Sequence, residues 1–342
     1  MSNFDEYKRL GEPQKKEKAK IWKTAIGLQQ VDGLTPSAYL IETAKANIEG
    51  DITIEEVKER INAYYIAKPA SKAKNNRTEE ADKVSTKITE ILSENTFVFS
   101  PAEYISIHKR LFDGIYKFAG KIRDYNISKA EWILDGQTIF YASADSIRAT
   151  LDYDFSQEKA FEYKNLTKEQ MVEHFATFFS GLWQIHAFGE GNTRTTAVFA
   201  IKYLRTLGFD VENDLFEENA WYFRNALVRA NYNDHKNKVF VTNKYLNMFF
   251  CNLLLDENNA LINSDMHIKN DTVKLQDDTV NDTVNDTVFM LIKENNRITA
   301  KEISYKLNIS IATAKRKIKL LKDIGQIERF GSDKTGYWKV IK

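Results

Sequence analysis

Two helices and a nine-residue turn between them, over residues 171 to 207, constrain the fold of this chain more than any other feature. Met171, Phe175, Phe178, Phe179, Leu182 and Ile185 recur at three- and four-residue steps, as in a helix that buries one face. A second helix is expected from Thr193 to Leu207, with Ala197, Val198, Ile201 and Leu204 on its buried side and Gly208 placed to stop it. The turn reads His186-Ala-Phe-Gly-Glu-Gly-Asn-Thr-Arg194.

That turn groups the chemistry of a nucleotide site. The backbone N–H groups of Gly191, Asn192 and Thr193 are expected to converge at the start of the second helix, where the helix dipole also favours a phosphate. Glu190 is a candidate for Mg2+, because this hard ion needs few carboxylates when phosphate oxygens complete its shell. Arg194 is placed to reach a second phosphate, and His186 is left for proton transfer. Each residue also has a plainer reading: His186 as a helix cap, Glu190 in a simple connector, Phe188 as a core anchor. Their order within nine residues favours the nucleotide.

The stretch resembles the Fic family motif, His-x-Phe-x-Asp/Glu-Gly-Asn-Gly-Arg-x-x-Arg. The resemblance implies a mainly α Fic-type helical bundle with a β-hairpin flap. It implies His186 as the base for a target hydroxyl, Phe188 as a buried positioning residue, Glu190 as the Mg2+ ligand, and Gly191 to Thr193 as the phosphate cradle. The implied reaction is transfer of AMP from ATP to a Ser, Thr or Tyr hydroxyl of a target protein or of the chain itself, with pyrophosphate released. Two departures bear on it. Thr193 replaces the second glycine, adding a side chain and a candidate hydroxyl ligand, and Ala197 replaces the last arginine, which leaves another nucleotide substrate open.

The flanks extend the resemblance. Asp135-Gly136 lies between apolar runs and signals a hairpin, so a flap that docks the target protein is expected near residues 125–141. Asn231 and Tyr232 are the candidates near the nucleotide base, with a helix cap and a core residue as their plainer readings. Residues 22–37 and 48–57 are similar to the antitoxin partners of Fic toxins, here fused to the enzyme. In that family an inhibitory helix carries Ser/Thr-x-x-x-Glu-Gly. The matching positions are Leu28, Asp32 and Gly33, so Asp32 is the inhibitory candidate and Arg194 its expected partner; Glu49-Gly50 is the rival position, and a plain Asp-Gly turn the alternative.

The chain's 342 residues suit more than one domain. The expected layout is an antitoxin-like helical region at 1–66, a polar exposed connector at 67–81, a Fic catalytic domain at 82–256, a linker at 257–286 with Asp-Thr-Val repeats, and a winged helix-turn-helix at 287–342. In the last part Thr299 and Glu302 are spaced as a capping box, and Ile311, Ala314, Ile318 and Leu321 form a stripe with Lys315, Arg316, Lys319 and Lys322 beside or away from it. Residues 287–342 hold 13 Lys/Arg against 5 Asp/Glu, which suits DNA, although winged helices also bind proteins. Cys251 is the single cysteine, so no disulfide framework is expected, and the five histidines stand apart from it, against a zinc site. No apolar run is long enough for a bilayer, and the opening residues lack a signal peptide's pattern, so no membrane partner and a cytoplasmic location are expected. Two function classes compete: a nucleotidyl transferase, and a nucleotide-sensing DNA-binding regulator built on an altered core.

Overall fold

The computed structural model describes residues 4–67, 74–211, 214–269 and 288–307, and then 314–315, 318–319, 321–322, 326–330 and 336–341. The chain divides into two compact units, Met1–Ile268 and Lys269–Lys342.

The first unit is helical throughout its described elements. Helices α1 (Asp5–Leu10) and α2 (Pro13–Gly27) lead into a 3-10 turn, Leu28–Asp32, followed by α3 (Ala38–Glu49), α4 (Ile54–Ala67) and α5 (Lys74–Ser93). Then come α6 (Pro101–Phe112), α7 (Ile147–Ala160), α8 (Lys168–Ile185), α9 (Asn192–Thr206), α10 (Asp214–Arg229) and α11 (Lys244–Leu254). The expected motif helices are α8 and α9. A capping box opens α8: the Thr167 side chain accepts from the Gln170 N–H while the Gln170 side chain accepts from the Thr167 N–H. It ends at His186, whose left-handed backbone (φ 49°) turns the chain out of the helix.

Helix α9 departs from the expected one-sided burial. Every residue from Asn192 to Leu204 is buried, threonines and Arg194 included. The polar positions are tolerated because each finds a partner: Thr195 Oγ1 donates to the Gly191 carbonyl, and Thr196 Oγ1 lies 3.0 Å from the Tyr104 hydroxyl. Besides α8, helices α6 and α5 and the 3-10 turn pack on α9, which leaves no face of it in water. Helix α2 can lie close against α10 because of Gly27: a Cβ there would come 2.2 Å from the Glu217 Cα on α10.

Three expectations need correction. Residues 74–81, read as exposed connector, belong to α5; Ala81 is fully buried, because α5 packs along α2 and α4. Residues 257–268, read as linker, end on the main core, where Met266 and Ile268 are buried and the Asp265 carbonyl accepts from the Tyr245 hydroxyl. The flap at 125–141 contains no strand ladder. Its Asp135-Gly136 turn is present, with φ 53° and 83°, yet Trp132–Leu134 form a 3-10 turn. Ile133 and Leu134 are both buried, and a strand with one wet face cannot bury two successive side chains.

In the second unit a helix at 288–294 (α12) precedes α13 (Ala300–Leu307), opened by the capping box of Thr299 and Glu302. Strand β1 (Ile327–Phe330) pairs antiparallel with β2 (Tyr337–Val340), with Ile327 opposite Val340. Val288, Ile292, Ile298, Ile303, Ala314, Ile318, Leu321 and Ile327 share one core. The Asp-Thr-Val repeats up to Thr287, Ile311, Arg316 and the loop at 331–335 lie outside the described residues.

Candidate active site

His186 is 3% exposed and sits where α8 stops. Its Nδ1 lies 3.3 Å from the Trp183 carbonyl, which can only accept, so Nδ1 carries the proton and Nε2 keeps a lone pair. Nε2 is buried with no hydrogen-bond partner. Burial holds this imidazole well below its ordinary pKa, and the nearby positive charges of Lys129, Arg123 and Arg224 push the same way. The ring rests against Tyr141 at 4.3 Å. The result is a neutral imidazole with an unsatisfied basic nitrogen.

Arg123, which the sequence reading missed, fixes that imidazole. Only 4% exposed, it donates from Nε to the His186 carbonyl at 2.7 Å, from Nη1 to the Tyr125 carbonyl at 2.6 Å, and from Nη2 to the Ala142 and Ile185 carbonyls. It caps the carbonyl end of α8 and ties both ends of the flap to it. His108, also missed, fixes the turn. Its Nδ1 accepts from the Gly120 N–H at 2.9 Å, so Nε2 is the protonated nitrogen that meets the Glu190 carbonyl at 3.0 Å. Burial lowers its pKa to about 4, and its ring stacks on Phe188 at 3.7 Å. Phe188 is fully buried, as both its positioning and its core-anchor readings expect.

The turn expected to cradle phosphate is held by its own side chains. Asn192 Oδ1 accepts from the Phe188 N–H, and Asn192 Nδ2 donates to the Phe188 carbonyl. Gly191 has φ 77°, and a Cβ there would fall 2.3 Å from the Phe112 ring. The first-turn N–H groups of a helix have no acceptor within it, which leaves those of α9 for an anion. The Thr193 hydroxyl, expected as a candidate ligand, accepts from Trp183 Nε1 at 2.9 Å, which leaves its own O–H to donate.

Arg194 is not placed to reach a phosphate as expected. It is 1% exposed and enclosed by the N-terminal elements: Nη2 donates to Glu80 at 2.7 Å, Nη1 to Gln29 at 3.1 Å, and the guanidinium lies over Phe112. Asp32 Oδ2 stands 2.9 Å from Nε. That contact is an ion pair without a hydrogen bond, since neither atom has a properly aligned partner. Tyr116 completes the cage by donating to Glu80 at 2.6 Å.

Glu190 faces the other way. Its side chain is 52% exposed and pairs with Lys129 of the flap at 3.0 Å. Because the carboxylate already attracts a cation at the surface, it fits a Mg2+ ligand; among the described residues no three His, Cys, Asp or Glu cluster as a metal site, so the remaining ligands would have to come from a substrate. Asn231 spends its amide N–H groups on the Ser180 and Leu227 carbonyls, as a cap would. Tyr232 is buried and donates to Gln137 of the flap at 2.6 Å. The flap is further held by Glu131, which is 1% exposed and lies 2.7 Å from Arg224.

Residues 98–204, which contain His108, Arg123 and the turn from His186 to Arg194, match the family model described as Fic/DOC family. They are a Fic/DOC-family domain. Residues 283–337 match a second model, described as an HTH domain. Over 132 residues, 38% of the chain, the sequence is 25% identical to "Probable protein adenylyltransferase y4lH" of Sinorhizobium fredii, and the match spans 64% of that relative's length. Among solved structures, the N-terminal FIC domain of a VirB-translocated effector from Bartonella sp. 1-1C is 20% identical with a TM-score of 0.42, covering 55% of this chain and 88% of the other. The N-terminal Fic domain of an effector from Bartonella sp. AR 15-3 is 18% identical with a TM-score of 0.36, covering 59% and 80%. The Fic domain match spans residues 98–204, so Glu190, Arg194 and the glycines of the turn lie inside it, and Asp32 lies before it.

Proposed function

We propose that the chain is a protein adenylyltransferase that moves AMP from ATP to a Ser, Thr or Tyr hydroxyl, and that its N-terminal helices restrain it. The observation that carries this reading is the unpartnered Nε2 of His186, held beside a helix-opening turn suited to phosphates. In the proposed step the target hydroxyl gives its proton to Nε2, its oxygen bonds to the α-phosphorus, and the bond from that phosphorus to pyrophosphate breaks. Mg2+ held by Glu190 would neutralise charge on the phosphate oxygens. The α9 N–H groups hold the phosphates, and the target displaces Tyr141 to reach the base. A cytoplasmic setting, where ATP is at hand, belongs to this reading.

Restraint by Asp32 is supported by the enclosure of Arg194. Two carboxylates, Asp32 and Glu80, surround one guanidinium, so a phosphate arriving there meets surplus negative charge and an occupied partner. The test is incubation of the full chain and its Asp32→Ala variant with α-labelled ATP, each beside a His186→Ala control. Label transferred to protein, increased by Asp32→Ala and abolished by His186→Ala, is expected. Equal transfer with and without Asp32 removes the restraint, and absence of transfer from both chains removes the transferase.

A second reading, a nucleotide-responsive DNA-binding regulator, draws on the HTH domain and on Ala197, fully buried where the family pattern has an arginine. It expects ATP to alter retention of the full chain on duplex DNA without labelling any protein.

A further inference from the structure

A triphosphate carries more charge than a row of backbone N–H groups can match, and the turn lacks a side-chain cation. Residue 197 ends in a methyl group within the core, and Arg194 is caged. Three cations act on His186 from nearby: Lys129, Arg123 and Arg224. Two are committed. Arg123 is buried and donates to four backbone carbonyls, while Arg224 forms an ion pair with the buried Glu131. Lys129 has the most exposed side chain of the three, and among the described residues its ammonium pairs with the half-exposed Glu190 carboxylate rather than with a buried group. Its place in the flap is set by its backbone N–H, which donates to Thr138 Oγ1.

We propose that Lys129 is a phosphate-binding residue of this site, supplying from the flap the cation that α9 lacks at position 197. The proposal rests on the transferase reading. An exposed ion pair such as Lys129–Glu190 is held weakly. The ammonium therefore exchanges readily from the carboxylate to a phosphate oxygen, where it makes a charge-assisted hydrogen bond. A lysine suits this task better than an arginine packed in the core, because a flexible stem lets one ammonium serve either partner. The ligand class follows: nucleoside triphosphates gain from Lys129, and nucleoside monophosphates, which lack the outer phosphates, do not.

The test is calorimetric titration of ATP and of AMP, both with Mg2+, into the full chain and the Asp32→Ala chain, each with and without Lys129→Met or Lys129→Arg. Lys129→Met is expected to weaken ATP about ten- to a hundredfold, to leave AMP within about twofold, and to flatten the salt dependence of ATP binding, with Lys129→Arg restoring most of the loss. Unchanged thermal unfolding of the variants shows that the fold is intact. ATP affinity that survives Lys129→Met, or AMP affinity that falls in step with it, overturns the lysine's role and leaves the transferase reading standing. Failure of ATP to bind either chain that retains Lys129 overturns both.

Discussion

The two sides of the α9 entrance differ in kind. On one side Arg194 is dry, aromatic-lined and shared between two carboxylates from separate N-terminal elements. On the other, Glu190 and Lys129 form a half-exposed pair that water and ions can reach. Breaking a buried pair leaves an uncompensated charge, whereas an exposed pair can part at little cost. Fixed and exchangeable electrostatics thus stand back to back on one turn. His186, the proposed base, is oriented by Trp183 and Arg123.

The largest expected break in this comparison is His186→Ala, which removes the base and leaves both ion-pair sides in place. Transfer by the Asp32→Ala chain should fall by about two to four orders of magnitude. Residual transfer close to the parent rate, read by labelled-AMP incorporation, would mean that some other group takes the proton.

Acid should act next, through His108. Its folded pKa of about 4 lies below the ordinary histidine value, so the unfolded chain binds the proton more readily. The neutral ring contributes its full stability above about pH 6.5 and loses it as pH falls toward 4, a change of about 3 kcal/mol. His186, depressed in the same direction, adds to the same trend. Urea unfolding at pH 7 and pH 4.5 measures it, and the His108→Gln chain should show a visibly shallower pH dependence than the parent. Equal slopes would dismiss His108 as the keeper of the turn.

Gly27→Ala probes the buried side alone. The added Cβ meets Glu217 backbone, which cannot step aside as a side-chain tip can, so a destabilisation of about 1–3 kcal/mol is expected. The strain falls next to the 3-10 turn that carries Asp32, so auto-modification should rise along with the loss of stability. A stability loss with unchanged auto-modification would separate the helix crossing from the Arg194 cage. The smallest effect is expected from Thr167→Ala, which deletes the capping box of α8 far from either ion pair. It should cost about 1 kcal/mol in urea unfolding and leave nucleotide binding alone.

The motif helices were legible because local rules govern them. Apolar spacing marked α8, the turn residues marked its end, and Thr299 with Glu302 marked the start of α13. The flap was legible only as a turn: Asp135-Gly136 announced a reversal, but nothing local told that Ile133 and Leu134 would both turn inward. Asn231 shows the same limit, since its capping role follows from a carbonyl on α8, about fifty residues earlier in the chain. Glu80 was hidden more deeply, in a polar stretch whose charges resemble those of any solvated helix.

The amino-acid order by itself settled which groups are available: an imidazole at a helix end, a carboxylate before a glycine, N–H donors opening the next helix, and no arginine at position 197. These follow from spacing within a turn or two, where covalent geometry links position to direction. Tertiary packing alone decided which charges are spent and which remain exchangeable. Arg194 meets Glu80 across 114 residues and Lys129 meets Glu190 across 61, contacts that exist only once α5 and the flap have packed around α9. Burial then sets their worth, because removal from water makes one cluster costly to open while the solvent-exposed pair stays free to exchange.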